Sequence, residues 1–184
     1  ISMALTPMVL TGRLIKKQKP DAKVVFIGPC AAKKLEASRK SVRSDVDFVV
    51  TFEELQAMFD AKGIDLTAYE AESSFHDATG AGRGYACAGG VAKAIEECIN
   101  EYYPETLVNI EHAEGLAECK KILTLAKAGR MNGCLIEGMG CPGGCIAGAG
   151  TNIPIPTAKK DVAAYVKNSS RALPPKELEE IELK

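Results

Sequence analysis

The stretch from Leu135 to Gly150, reading LIEGMGCPGGCIAGAG, constrains this chain more than any other. It begins as a short apolar run and breaks into a loop crowded with glycine. Within the loop, Cys141 and Cys145 flank Pro142, Gly143 and Gly144. Thiolate is a soft ligand suited to iron–sulfur clusters, and a glycine-rich loop lets backbone N–H groups turn toward cluster sulfides without Cβ clashes. The bland alternative is a tight turn whose cysteines are merely small.

A second stretch, FIGPCAAKKLE from Phe26 to Glu36, points the same way. The spacing predicts an apolar strand over Lys23 to Ile27 that ends at Gly28-Pro29. Cys30 then opens a helix carrying Lys33 and Lys34. A cysteine at a helix N-terminus has its thiolate stabilised by the helix dipole and unsatisfied N–H groups. Lys33 lies three positions on and projects from the same face, where a cation suits an anionic ligand beside a metal. The alternative is a strand-to-helix turn with solvated lysines.

Together the two stretches resemble signature motifs of the iron-only ([FeFe]) hydrogenase large subunit. Pro29, Cys30, Lys33 and Glu36 match a Pro-Cys-x-x-Lys-x-x-Glu motif. Glu137, Met139, Cys141, Gly144 and Cys145 match Glu-x-Met-x-Cys-x-x-Gly-Cys. Their order and long separation also fit, and the resemblance runs from about Ser2 to about Pro156.

The 184 residues suffice for one domain with a sizeable core. A hydrophobic fraction of 46% and a charged fraction of 26% are ordinary for a soluble protein. With 23 basic and 24 acidic side chains and no basic block, nucleic acid is not an expected partner. No apolar run approaches the ~20 residues of a membrane helix, so no membrane insertion is expected. The first residues lack a signal-peptide pattern. Seven cysteines without the spacing of a small secreted scaffold argue for a reducing, cytoplasmic location. The start at Ile1, already in a structured-looking segment, suggests an excised portion of a longer protein.

Along the chain, Thr6-Pro7 reads as an N-cap and first helical position, and the helix should end near Gln18, ahead of Pro20. Lys23 to Ile27 has the nearly continuous apolar character of a strand buried in a parallel sheet. A helix from about Ala31 to Arg39 and a strand over Val46 to Val50 follow. Thr51 and Glu54 form a capping box for the next helix, which Gly63 is placed to end. Ser73 to Gly90 is the least regular part, and its Gly89-Gly90-Val91 resembles a further glycine-rich segment of the family. A helix to about Tyr103 carries Val91, Ala94, Ile95, Cys98 and Ile99 on one face. Leu107 to Ile110 reads as a short strand. Leu116, Cys119, Ile122, Leu123 and Ala126 mark the apolar face of another helix. Cys134 to Ile136 leads into the organising loop, and Ala158 to Lys167 is helical. Residues 169–184 form a peripheral tail. Strands alternating with helices predict an α/β domain with a mainly parallel sheet, iron-only hydrogenase-like, spanning 1–184 as the C-terminal portion of a catalytic domain.

Cys98, Cys119 and Cys134 read as core thiols, and Cys87 as a small packing residue. His76 and His112 are isolated and show no metal-ligand spacing. A cluster needs about four thiolates. Cys30, Cys141 and Cys145 supply three, and the resemblance places the fourth in an upstream cysteine motif. This chain on its own is therefore expected to be inactive.

The resemblance implies a [4Fe–4S] cluster linked to a diiron centre carrying CO, CN and a bridging dithiolate, together the H-cluster. Cys145 would bridge the two, Cys30 and Cys141 would bind the cubane, Lys33 would donate to a cyanide, and Met139 would pack against the diiron unit. Pro7, Gly28, Tyr85 and Ala86 match pocket-lining positions, and Ser2 matches a serine of the proton relay. The implied reaction is reversible reduction of protons to dihydrogen. Implied partners are a redox carrier such as ferredoxin, upstream iron–sulfur domains of the same protein, and maturation proteins. Gly28 stands where catalytic members commonly have methionine, which would leave the pocket wider, and Gly148-Ala149-Gly150 replaces three glycines. Such departures resemble divergent or sensory branches. The alternatives are therefore a hydrogen-sensing domain and the related iron–sulfur assembly protein.

Overall fold

The computed structural model describes residues 2–70 and 78–176. The fold is mixed α/β with short parallel sheets, as the alternation of elements predicts. The described chain divides into two units, one holding residues 2–69 and 149–152, the other 70, 78–148 and 153–176.

In the first unit, helix α1 spans Pro7–Gln18, strand β1 Val25–Ile27, helix α2 Ala32–Ala37, strand β2 Phe48–Val50 and helix α3 Phe52–Lys62. β1 and β2 pair in parallel, with Val25 opposite Phe48 and Ile27 opposite Val50. The core consists of Met8, Val9, Val24 and Val46, packed against Leu5, Phe26, Ala37, Val42 and Val49. The expectation of a strand buried on both faces is corrected here. Phe26 and Val49 turn inward, but Val25, Ile27 and Phe48 are exposed, because helices cover one face of this two-stranded sheet. The strands are also shorter than expected. Val24 and Val46 remain core residues, while Asp47 leaves the ladder to accept the Val24 N–H at 2.8 Å and to pair with Lys16.

The local signals for the helices hold with two exceptions, at Thr6 and at Cys30. Thr51 and Glu54 form the full capping box, and Gly63 ends α3 in the left-handed conformation. Thr6 occupies the N-cap of α1 without capping it. Its hydroxyl donates instead to Glu36 of α2. α2 is six residues long, and Cys30 lies in the turn ahead of it rather than in its first turn.

In the second unit, α4 spans Gly80–Gly84, α5 Gly90–Tyr102, β3 Asn109–Glu114, α6 Leu116–Lys127, β4 Cys134–Met139 and α7 Ile155–Lys167. β3 and β4 pair in parallel from Asn109 opposite Cys134 to Glu114 opposite Met139, and α6 is the crossover between them. The strand expected over Leu107 to Ile110 is shifted forward. Leu107 is 96% exposed, whereas the polar run Asn109–Glu114 makes the ladder. Partnering with β4 overrides the local hydropathy, since ladder bonds depend on backbone groups. β4 extends beyond Ile136 to Met139, so Glu137 and Met139 stand on a strand. Part of the segment expected to be irregular is the short helix α4, capped by the Thr79 hydroxyl on the Gly82 N–H. The rest, from Ser73 to Asp77 with His76, lies outside the described residues. On α6 only Ile122 is buried, and Leu116 and Leu123 are exposed.

Residues after α7 return to α4 and α5. Gly80 and Ala81 donate to the carbonyls of Arg171 and Ala172, and the Tyr102 hydroxyl donates to Pro174 at 2.6 Å. The remainder of the expected tail, 177–184, lies outside the described residues. Among the described residues no helix is long and apolar enough to cross a membrane.

Candidate functional site

The site is built outward from the end of β4. After Met139 the chain turns through Gly140 to Gly144 and enters a 3-10 turn, Cys145–Ala147. Cys141 and Cys145 sit at the two ends of this turn, half-buried, and none of the seven cysteines is in a disulfide. Two positive-φ glycines, Gly143 at 94° and Gly144 at 90°, give the loop its course.

Glycine is required at 144 for a second reason. A Cβ there would lie 2.4 Å from the amide nitrogen of Ala88 and 2.9 Å from the carbonyl oxygen of Ala86. These are backbone atoms, so rotation of a side chain relieves nothing. The close approach is sealed by two hydrogen bonds, Ala88 N–H to Gly143 O and Ile146 N–H to Ala86 O, each 3.1 Å. The structure thus joins the cysteine loop to the segment that carries Tyr85 and Ala86. On its other side the loop is held by Glu114 at the end of β3, whose Oε2 accepts the Gly143 N–H at 2.7 Å.

The loop's amides correct one expectation. Composition has them facing bound sulfides, but those of Gly143, Gly144, Ile146, Ala147 and Gly148 donate to protein oxygens. The glycines serve shape and close packing, and the donor chemistry of the loop resides in its two thiols.

Glu137 is the residue that motif matching alone undervalues. It is 8% exposed. Its Oε1 accepts the Val91 N–H at the start of α5 at 3.1 Å, and its Oε2 lies 3.2 Å from Nδ1 of His112, its direct partner across the β3–β4 ladder. An acid inside the otherwise apolar opening of β4 was the available signal. His112, isolated in sequence, finds its partner only through the sheet.

In the first unit, Cys30 is half-buried, and its carbonyl accepts the Lys33 N–H at 3.2 Å. The Lys33 ammonium lies 2.6 Å from Glu36, with 22% of its side chain exposed. Burial raises the Glu36 carboxyl, but hydrogen bonds from Lys33 and Thr6 outweigh it, and the group lies below the ordinary range. Gly28 is buried, and a Cβ on it would stand 2.9 Å from the Phe26 ring. Phe26 thus occupies the room expected to be open beside Gly28. Pro7 is the exposed first residue of α1, and Ser2 is exposed, its hydroxyl accepting the Ala4 N–H.

The other four thiols are half-buried, so Cys98, Cys119 and Cys134, expected in the core, lie at its margin. Burial pushes the Cys87 thiol up against an opposing pull from Lys159, and burial followed by Glu97 raises Cys98. Cys119 points its thiol at the carbonyls of Ala113 and Met139, 3.6 Å from each. A cavity of about 860 Å³ in the second unit is lined by Cys87, Gly89, Lys93, His112 and Lys159 among others, but by neither Cys141 nor Cys145.

The donor set fits thiolate ligation in chemistry but is incomplete in number. Within either unit, the described residues hold no group of three His, Cys, Asp or Glu side chains that would bind a metal ion. The cysteine loop offers two thiols, and Cys30 offers one in the other unit.

Comparison with known proteins agrees with the motifs. Residues 1–149 match the profile of the family described as iron only hydrogenase large subunit, C-terminal domain. Over 67 residues the chain is 40% identical to the cytosolic Fe-S cluster assembly factor NAR1 of Kluyveromyces lactis, a match covering 36% of this chain and 14% of that protein. Among solved structures it resembles an apo [FeFe]-hydrogenase of Chlamydomonas reinhardtii, with a TM-score of 0.66 and 20% identity, covering 91% of this chain and 60% of that one. An [FeFe]-hydrogenase structure concerned with oxygen inactivation gives a TM-score of 0.57 at 19% identity, covering 90% of this chain and 60% of the other. At such identities the structural likeness shows the fold. The chain spans about 60% of the hydrogenase chains it resembles.

Proposed function

Because this chain belongs to the family of the iron-only hydrogenase large subunit, we propose that it is the thiolate-bearing portion of an iron–sulfur oxidoreductase domain that interconverts protons and dihydrogen. The observation that carries this reading is the braced loop that presents Cys141 and Cys145 without burying or cross-linking them. Cys141 and Cys145 would hold a [4Fe–4S] cluster, with Cys30 as a third ligand by its motif position and a further ligand from upstream chain. Cys145 would also join the linked diiron centre. When bound, that H-cluster would relay electrons to or from the redox carrier and supply the site at which dihydrogen is formed or cleaved.

The chain's own residues supply position and charge. Lys33, three residues after Cys30 and ion-paired with Glu36, would offer a cation to an anionic ligand of the cluster. Met139 ends β4 two residues before Cys141 and would contribute an apolar, polarisable wall. Tyr85 and Ala86 belong to the segment hydrogen-bonded to the cysteine loop, and with Pro7 and Gly28 they match pocket-lining positions of the family by motif. Ser2 would stand in a proton relay. Residues 1–184 would form part of one catalytic domain in a reducing, cytoplasmic compartment. A ferredoxin-type carrier, upstream iron–sulfur domains and maturation proteins would be its partners.

A second reading, an iron–sulfur assembly protein without the diiron centre, is favoured by the similarity to NAR1. Both readings require the thiols, and they differ in the diiron centre. The test is the full-length protein, matured anaerobically and supplied with a low-potential donor. Dihydrogen production together with CO and CN infrared bands, both lost in Cys145→Ser, supports the hydrogenase reading. A cluster without those bands and without dihydrogen production moves the assignment to assembly.

A further inference from the structure

We infer that Glu137 is a positioning residue for the Cys141–Cys145 loop. The inference rests on the proposal that these cysteines are cluster ligands and deepens it.

Glu137 closes a ring of covalent and hydrogen-bonded links around the loop. From Glu137 the chain runs through Met139 and Cys141 to Gly143. Gly143 O accepts the Ala88 N–H at 3.1 Å. From Ala88 the chain runs through Gly89 and Gly90 to Val91, whose N–H returns to Glu137 Oε1 at 3.1 Å. The segment 86–91 is thus a strap pinned at both ends, on one side to the cysteine loop and on the other to Glu137. It has little room to shift, since a Cβ at Gly90 would fall 2.0 Å from Gly84 O. The Gly89 Cβ position lies 3.8 Å from His112 Cε1 and 4.0 Å from Glu137 Oε2, so the turn rests on the Glu–His pair.

Chemistry selects a carboxyl here. One oxygen must accept a backbone N–H at the start of a 13-residue helix, where negative charge is favoured. The other must meet the His112 ring. A buried group serving two partners at once has its rotamer locked, as a residue that supports a ligand-bearing loop requires. Truncation leaves the Val91 N–H and one face of His112 without their partner, and the strap loses its far anchor.

The test compares Glu137→Ala and Glu137→Gln with the unaltered full-length protein. In cluster-free protein, hydrogen exchange at the amides of Ala88 and Ile146 should rise about tenfold or more in Glu137→Ala. Glu137→Gln keeps an acceptor for Val91 and should stay near the unaltered rate. In protein loaded anaerobically with iron and sulfide, Glu137→Ala should shift and broaden the electron paramagnetic resonance of the reduced cluster, and Glu137→Gln should restore it. Unchanged exchange in a folded Glu137→Ala protein overturns the brace. Raised exchange with an unaltered cluster spectrum overturns the positioning role. Retention of the same cluster spectrum in both Cys141→Ser and Cys145→Ser removes the ligand assignment beneath it, and the inference falls with that reading.

Discussion

Gly144 approaches Ala88 so closely that a Cβ would stand 2.4 Å from the Ala88 amide nitrogen. The two residues belong to sequence stretches more than fifty positions apart, and their contact ties the cysteine loop to the entry of α5. Gly144→Ala should destabilise the protein by about 3 kcal/mol, combining roughly 1–3 for a backbone of φ 90° and ψ −158°, a region essentially reserved for glycine, with roughly 1–3 for overpacking. Gly133→Ala is the comparison, since Gly133 also has a positive φ, 76°, but nothing within 4 Å of its Cβ position. It should cost only the backbone share, about 1–2 kcal/mol. Urea unfolding of both variants reads the difference, and equal losses would show that the contact with Ala88 does not constrain position 144.

Lys33 is held by Glu36, and Glu36 also receives the Thr6 hydroxyl. Glu36→Ala should release the lysine and raise its acetylation rate several-fold. The rate at Lys62, on α3, should stay the same. Peptide mass spectrometry after brief labelling measures both. Because the Glu36 carboxyl lies below its ordinary range in the folded state, its contribution is complete above the ordinary glutamate value and fades as pH falls through the lowered one.

Asp47 gives the clearest acid limb. The Lys16 hydrogen bond, followed by the Val24 amide, lowers its carboxyl from 3.8 to about 2. A folded-state value below the unfolded one means stability present above the unfolded value and lost as pH drops. The loss should fall between pH 3.8 and about 2. Urea midpoints across that window should decline less steeply in Asp47→Asn than in the unaltered protein. Parallel curves would show that the Lys16 and Val24 contacts do not govern this limb.

Thr51 caps α3 through its hydroxyl on the Glu54 N–H, and Glu54 reaches back to the Thr51 N–H. Thr51→Ala should cost about 1 kcal/mol, and Thr51→Ser should recover most of it. Thermal unfolding monitored by circular dichroism reads both. A serine variant as unstable as the alanine one would point to lost packing of the Thr51 methyl, not to the cap.

Where the sequence is legible, the governing interaction is local. The Thr51–Glu54 box, Gly63 past the end of α3, and Pro7 at the start of α1 each act within one helical turn. The apolar runs around β1 and β2 locate both strands, though not their lengths. β3 is caught by such a reading only at Asn109 and Ile110, because Glu111, His112 and Glu114, which continue its ladder, have polar side chains that hide a strand from hydropathy. α6 is visible in the sequence, yet Leu116 and Leu123 on its expected inner face are exposed, since neighbours decide which face is covered.

The same division holds at the site. Cys30, Cys141 and Cys145 stand out as the thiols in motif context, and the likeness to an iron-only hydrogenase is legible, before any fold is known. Residue type and short spacing carry that information. Packing in three dimensions is what turns the loop's amides to the protein's own oxygens, sets the Phe26 ring against the Cβ position of Gly28, and has Glu137 anchor α5 through Val91 while facing His112. Each of these depends on atoms brought within hydrogen-bond or van der Waals distance by the fold, and over-short or orphaned contacts there cost more than local propensity supplies.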